Sequence, residues 1–316
     1  MEVEDTIVRL LEERGPLSGS ELREASAADG FALWKTCQRS PRIEVRRVGR
    51  RYLRLDRKVE GYARLSPSVL REFLTYTAVG LASDPAALEL RARRLAIRIQ
   101  EITAAKLRLA RRVISEIGAQ VADSERGGEG AAGSRTEGVV EDRFCVLVAG
   151  DIVYQMAHEA PRPERSTGRM VRGSDLDLVV IMDDEAPEEL THRLDDAIYR
   201  QKYRYLINPS LREEIDYTIK TLARVREQAR FRDINDMVPC KVLDEAALLY
   251  GSERLYHAAK ALLQENHVQA KLAAMEREAI ESRERAEKHL LDRDQDSLGG
   301  DELYLFYTSE ESEEFD

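Results

Sequence analysis

The period at which apolar residues recur changes several times along the chain. Ile7, Leu10 and Leu11 have helical spacing, and Leu17-Ser18-Gly19-Ser20 leads into a second helix expected from Glu21 with Ser20 as its N-cap. A third helical stretch runs around Phe31 to Cys37 and stops before Pro41. Arg42 to Arg46 and Tyr52 to Leu55 alternate polar and apolar about a turn at Gly49, which predicts a two-stranded hairpin. From Ser66-Pro67 the pattern is helical, and Asp84-Pro85 opens a longer helix with proline suited to its first turn. Leu88, Ala92, Leu95, Ile99, Ile102, Leu109 and Val113 form one apolar stripe to about Val121. At 1.5 Å per residue this helix would extend roughly 55 Å. Such a stripe packs along another part of the chain or pairs with a second copy in a homodimer.

Periodicity stops at Ser124. Residues 124–138, SERGGEGAAGSRTEG, read as a flexible linker. Gly128, Gly130 and Gly133 spell G-x-G-x-x-G. They follow a charged helix end and precede a strand, whereas a dinucleotide fingerprint must follow a strand and open a helix, so the linker reading stands. Phe144 to Ala149 is a buried strand by length and composition, ending at Gly150-Asp151. Two more strands are expected at Asp175 to Ile181 and Glu214 to Ile219. A charged helix from about Asn266 to Leu291 carries only a thin stripe (Val268, Leu272, Met275), and Leu303 to Tyr307 alternates as an edge strand would. The first sixty residues resemble a winged helix-turn-helix domain in element order and charge, with Gly49 to Arg51 as the wing. That resemblance implies a third helix in the major groove and a wing on backbone phosphate; use of the same surface for protein contact stays open beside it.

Composition sharpens this outline. Hydrophobic residues make up 43% of 316, enough for real cores, and charged residues 34%, which requires exposed helices or tails. No apolar run reaches the length of a membrane span. The opening MEVEDTIVRL lacks a basic region and cleavage site, and Cys37, Cys145 and Cys240 have no paired spacing. A soluble protein of the reducing cytoplasm, with no membrane partner, is expected. The net charge of −10 is uneven. Between Arg39 and Lys58 stand nine basic residues against two acids, a patch in which Arg46, Arg47, Arg50, Arg51 and Arg54 are the candidate nucleic-acid contacts. The last eighteen residues hold seven carboxylates and no Lys or Arg, a solvated end or a competitor for that patch.

The candidate chemistry lies in Gly173-Ser174-Asp175-Leu176-Asp177-Leu178. On a strand, Asp175 and Asp177 share one face, while Leu176 and Leu178 point to the core. Two such carboxylates suit a hard cation such as Mg²⁺, which favours oxygen ligands and substrate phosphates. In Glu214 to Ile219 the residues Ile215, Tyr217 and Ile219 take one face and Asp216 the other. If the two strands are neighbours, a spacing of about 4.8 Å places Asp216 beside the pair. Three carboxylates on one face repel one another without cations, which argues for metal.

From Phe144 to Leu263 this pattern resembles the DNA polymerase β-like nucleotidyltransferase superfamily. The expected fold is α+β: that superfamily's mixed sheet with flanking helices, preceded by a winged-helix domain and a long helix. The resemblance implies transfer of a nucleoside monophosphate from an NTP to an acceptor hydroxyl, with pyrophosphate leaving. Asp175 and Asp177 would hold Mg²⁺ (or Mn²⁺). Asp216 would ligate the catalytic metal and help deprotonate the hydroxyl. Gly150 and the backbone after it would receive the triphosphate, or Gly173 and Ser174 would do so. Val242 to Leu263 resembles the tyrosine-containing turn and helix that follow the catalytic sheet in minimal members. Two departures stand out. Asp151 occupies the usual serine position, where a carboxylate repels a triphosphate unless it points away or binds a cation. The stretch from Gly150 to Asp175 is also long, its excess being an arginine-rich loop of Arg162, Arg165, Arg169 and Arg172. That loop supplies phosphate contacts, Arg172 among them, or is a solvated insertion.

Tyr199, Tyr203 and Tyr205 among Arg200, Lys202 and Arg204 either stack a base or pack on a helix. The five histidines form no metal-binding spacing, and no P-loop or nucleophile elbow is present. The expected division is a winged-helix-like domain (1–60), a helical connector (61–123), the linker (124–138), the nucleotidyltransferase domain (139–264), a charged helix (265–298) and an acidic tail (299–316). A second functional reading, motivated by Asp151, is a DNA-binding regulator whose nucleotidyltransferase-like domain is an inactive sensor. A third is an enzyme that modifies protein or RNA in the manner of a toxin.

Overall fold

The computed structural model describes residues 2–126, 142–164, 167–293 and 300–306. The architecture is α+β. The described residues fall into two compact units, the first drawn from Met1–Glu101 and Ala274–Glu311, the second from Ile102–Ala273. Among the described residues no helix is long and apolar enough to cross a membrane.

The first unit begins α1 (Glu2–Arg14), β1 (Leu17–Ser18), α2 (Gly19–Ser26), α3 (Gly30–Arg39) and β2 (Ile43–Arg47). The cap of α2 is Ser18, two residues before the expected Ser20. Its hydroxyl accepts from Glu21 N–H, while the Glu21 carboxylate accepts from Ser18 N–H at 2.7 Å, closing a capping box. The expected hairpin is not formed. The strand β3 (Tyr52–Leu55) pairs with β4 (Ala63–Ser66), and β2 pairs with β5 (Thr77–Leu81), a strand that the helical reading of this region overlooked. Its register sets Val45 against Val79 and Ile43 against Leu81, so apolar partners decide the pairing over proximity in sequence. The resulting sheet has the order β1-β5-β2, and α4 (Val69–Thr75) precedes β5.

Ile7, Leu22, Leu33, Trp34, Phe73 and Val79 form the first core, joined by Leu290 and Phe306 from the C-terminal part. Residues 300–306 are the helix α11 (Gly300–Phe306), not an edge strand. Its Phe306 ring meets Phe31 edge-on at 5.1 Å between centroids and Trp34 at 5.5 Å. This contact covers one face of α3, the helix expected to enter a DNA groove.

The helix α5 runs Pro85–Arg126. Residues 127–138 of the expected linker, with the three glycines, lie outside the described residues; 124–126 are helical. In the second unit Ala110, Val113, Ile114, Ile117 and Val121 of α5 pack into the core of a four-stranded sheet. Its order is β10 (Ile215–Thr221), β9 (Leu176–Met182), β6 (Phe144–Val148), β11 (Ala247–Gly251). The strands β9 and β10 are parallel, and the other pairs are antiparallel. Their crossover is α6 (Glu188–Ile207), the element a parallel pair requires. All seven residues of β9 are buried. Further helices are α7 (Leu222–Gln228), α8 (Ile234–Glu245), α9 (Glu253–Glu265) and α10 (Val268–Asp292), the last contributing to the first unit from Ala274. After β6, Gly150–Ile152 makes a single 3-10 turn, followed by the short hairpin β7 (Pro161–Pro163) and β8 (Met170–Arg172).

Candidate functional site

The parallel pairing of β9 and β10 aligns Asp216 with Asp177, residue for residue. The third acid therefore stands on the strand next to the first two, about 4.8 Å away by strand spacing. Asp175 lies just before β9 and Glu214 just before β10, and Leu176 N–H donates to the Glu214 carbonyl at 2.9 Å. Because the strands are parallel, all four carboxylates gather at one end of the sheet.

Gly150 packs directly on this end. It adopts φ +67°, and a Cβ there would lie 1.9 Å from Asp177 Oδ2. Both the left-handed backbone and the space therefore require glycine. Gly173 is equally constrained, at φ +59° with a virtual Cβ 1.7 Å from the His158 carbonyl oxygen. Ser174 is buried; its hydroxyl donates to Asp151 Oδ2 at 2.6 Å and accepts from His158 N–H at 3.1 Å. Asp151 is thus held by Ser174, and its charge reaches Asp175.

The chain's own cations offset this crowding. Arg162, on β7, donates from Nε to the Gly173 carbonyl at 2.9 Å. Its Nη2 lies 3.3 Å from Asp175 and 2.7 Å from Glu214, the latter an ion pair without good hydrogen-bond direction. Lys202, on α6, donates to Asp216 at 2.7 Å. Burial pushes the Asp175 carboxyl above the usual range; Arg162 opposes the shift, and the charges of Asp216 and Asp151 add to it. Burial likewise pushes Glu214 up to about 7, with Arg162 opposing and Asp175 and Asp216 adding. Arg162 and Lys202 supply part of the positive charge that offsets these acids. Among the described residues no three His, Cys, Asp or Glu side chains are arranged to hold a metal ion as they stand.

A carboxylate also sits on the Gly150 backbone donor. Gly150 N–H donates to Glu245 at 3.1 Å, and Glu245 accepts from the Tyr154 hydroxyl and pairs with Lys241 at 2.7 Å. Beneath the site, Lys106 of α5 donates to the carbonyls of Arg172 and Ser174, each at 2.7 Å, and to Glu213. Sequence reasoning missed Lys106, Glu214 and Glu245. Only Lys106 leaves a signal: a cation four residues after Ile102 on the apolar face of a helix must have buried partners.

The arginine-rich loop divides. Arg162 joins the acids, Arg169 and Arg172 are exposed, and Arg165 lies outside the described residues. The tyrosines divide as well. Tyr205 is buried, while Tyr199 and Tyr203 are 61% and 57% exposed, which removes the packing explanation for those two. They sit one turn apart on α6, on either side of Lys202. Val242 to Leu263 forms the end of α8, β11 and most of α9.

The basic patch of the first unit is smaller than its sequence suggests. Arg54 is buried, and Arg51 forks onto Glu72 at 2.6 and 2.7 Å and reaches Glu287 at 2.5 Å. Arg47 lies 3.5 Å from Glu72, and Arg46 pairs with Glu44 at 2.7 Å. Arg46, Arg47 and Arg50 remain exposed. All three cysteines are buried and free. No protein-family model matches the chain, and no curated protein matches it.

Proposed function

We propose that the second unit is a metal-dependent nucleotidyltransferase that moves a nucleoside monophosphate from an NTP to an acceptor hydroxyl, releasing pyrophosphate. The observation that carries this reading is the register of Asp216 with Asp177 on parallel strands, with Gly150 packed on the Asp177 carboxylate. The donor set suits Mg²⁺ or Mn²⁺: carboxylates only, with the charges of Asp216 and Asp151 adding to the burial that raises the Asp175 pKa. Asp175, Asp177 and Asp216 would hold the cation, which supplies Lewis-acid stabilisation of phosphoryl charge. Arg162 and Lys202 would release Asp175 and Asp216 to the cation and turn to phosphate oxygens. Asp216 would accept the proton of the attacking hydroxyl. Glu245 would yield the Gly150 N–H to a phosphate oxygen, and Tyr199 and Tyr203 offer exposed rings on which a base can stack.

The first unit supports acceptor recruitment. Its order of helix, strand, two helices and two strands in a β1-β5-β2 sheet resembles a winged helix in which residues 48–76 replace the wing. Phe306 on α3 favours a protein or RNA acceptor over duplex DNA read by that helix. A second reading, a regulator with an inactive transferase-like domain, draws support from Arg162, Lys202 and Glu245 occupying the acids and the anion donor.

The test is transfer of label from an α-labelled NTP to RNA or protein in the presence of Mn²⁺. The expected result is transfer that falls at least about a thousandfold in Asp177→Asn and Asp216→Asn with unchanged circular dichroism, as removal of essential charge-stabilising groups does. Undiminished transfer in either variant, or no transfer by the wild type, refutes the reading.

A further inference from the structure

We propose that the first unit binds a small amphipathic organic anion, an aryl or short acyl group bearing a carboxylate or phosphate, in a cavity walled by the β3–β4 hairpin and helices α10 and α11. The cavity measures about 520 Å³ and is lined by Val59, Leu65 and Leu305 on its apolar side and by Lys58, Arg64 and Arg283 on its charged side. That volume falls within the range of small-molecule sites, and the mixture of apolar wall with a few convergent polar groups is their usual chemistry.

The charged side is short of acceptors. Arg54 and Arg64 are direct register partners on β3 and β4, two cations side by side where opposite charge is favoured. The Arg64 side chain is 10% exposed and that of Arg283 7%. Each guanidinium is already partly committed. Arg64 Nε donates to Asp56 at 3.1 Å, while Arg283 donates from Nε to Glu287 at 2.6 Å and from Nη1 to the Pro67 carbonyl at 3.0 Å. One nitrogen of each is left over: Arg64 Nη1 and Arg283 Nη2 are buried without a hydrogen-bond acceptor, the Glu72 carboxylate lying 3.7 Å from the latter. Burial and the charge of Arg54 lower the Arg64 pKa to about 10, with Asp56 opposing. Lys58, Arg64 and Arg283 give the lining its cationic character, and guanidinium N–H groups donate to carboxylate and phosphate alike. The apolar wall requires that this anion carry a hydrophobic body. Glu60 is the one carboxylate among the lining residues, against three cations, so a cationic ligand is disfavoured.

This inference does not rest on the transferase reading. Isothermal titration of the full-length protein with phenyl phosphate, benzoate, inorganic phosphate and benzyl alcohol tests it. Phenyl phosphate or benzoate should bind saturably and at least about tenfold more tightly than either inorganic phosphate or benzyl alcohol. Preference between the two binders identifies the anionic group. Arg64→Gln should weaken binding about tenfold. Because that variant also loses the Asp56 pair, Ala286→Phe, at a half-exposed position of α10 on the cavity wall, provides the second reading: binding lost with the melting temperature of the free protein kept. Failure of both amphipathic anions to bind, equal binding of inorganic phosphate or benzyl alcohol, or binding unchanged in a folded Ala286→Phe overturns the proposal.

Discussion

The two units treat charge in opposite ways. In the first, a row of arginines that looks like a phosphate-binding surface is drawn partly into internal pairs: Arg51 with Glu72 and Glu287, Arg46 with Glu44. In the second, acids scattered through the sequence are brought to one sheet end and left partly accessible, with a fifth of the Asp175 and Asp216 side chains exposed. A dense run of charge in sequence therefore says little about a site. Alternation on strands whose register brings acids together says more, because register is enforced by burial of the opposite face. The comparison predicts a ranking of substitutions.

The largest expected loss is at the floor of the acid site. Lys106 is 4% exposed and serves two carbonyls and Glu213, so Lys106→Met should cost about 3–5 kcal/mol in urea unfolding, the scale of breaking a buried pair from one side. Lys106→Met with Glu213→Gln should cost less than the sum of the single changes. A loss below about 1 kcal/mol, typical of exposed pairs, would remove Lys106 from the account.

Next comes Glu72, at the centre of the first unit's network. Burial pushes its carboxyl up, but the Arg51 hydrogen bond and the charges of Arg283, Arg51 and Arg47 outweigh burial and hold it below the ordinary range. A depressed folded pKa means the stabilisation is complete above the unfolded value of about 4.3 and is lost as pH falls through the folded value. Glu72→Gln should cost about 2–3 kcal/mol at pH 7, less at the more exposed Arg51 side than a fully buried pair. Its melting temperature should vary less between pH 5 and pH 3 than that of the wild type. Parallel profiles for the two proteins would assign the acid sensitivity elsewhere.

The smallest stability change belongs to the exposed rings. Tyr199→Ala and Tyr203→Ala should alter unfolding by no more than about 0.5 kcal/mol, as surface substitutions do. They should nevertheless weaken acceptor use by about tenfold in apparent KM, the scale of losing one stacked base. Unchanged KM in the double variant would return these residues to plain surface.

Much of the second unit was legible in advance. Phe144–Val148 and Leu176–Met182 are buried runs of strand length, and Asp216 alternates with Ile215 and Tyr217, so the acids could be placed on strands before the sheet was known. What the sequence withheld was partnership. The strand Ile43–Arg47 pairs with Thr77–Leu81, some thirty residues on, because Val45 and Val79 meet there, a choice made by tertiary packing. Leu303 and Leu305 alternate like a strand, yet 300–306 is helical, which lets Phe306 reach Phe31 and Trp34. The ion pairs of Arg162 with Asp175 and of Lys202 with Asp216 have no local pattern at all.

Equilibrium binding of Mn²⁺, followed by electron paramagnetic resonance with a non-hydrolysable NTP analogue present, tests the central claim most directly. The gathered carboxylates predict stoichiometric binding that is lost in a folded Asp177→Asn protein. Binding that is absent in the wild type, or equal in wild type and Asp177→Asn, would contradict it.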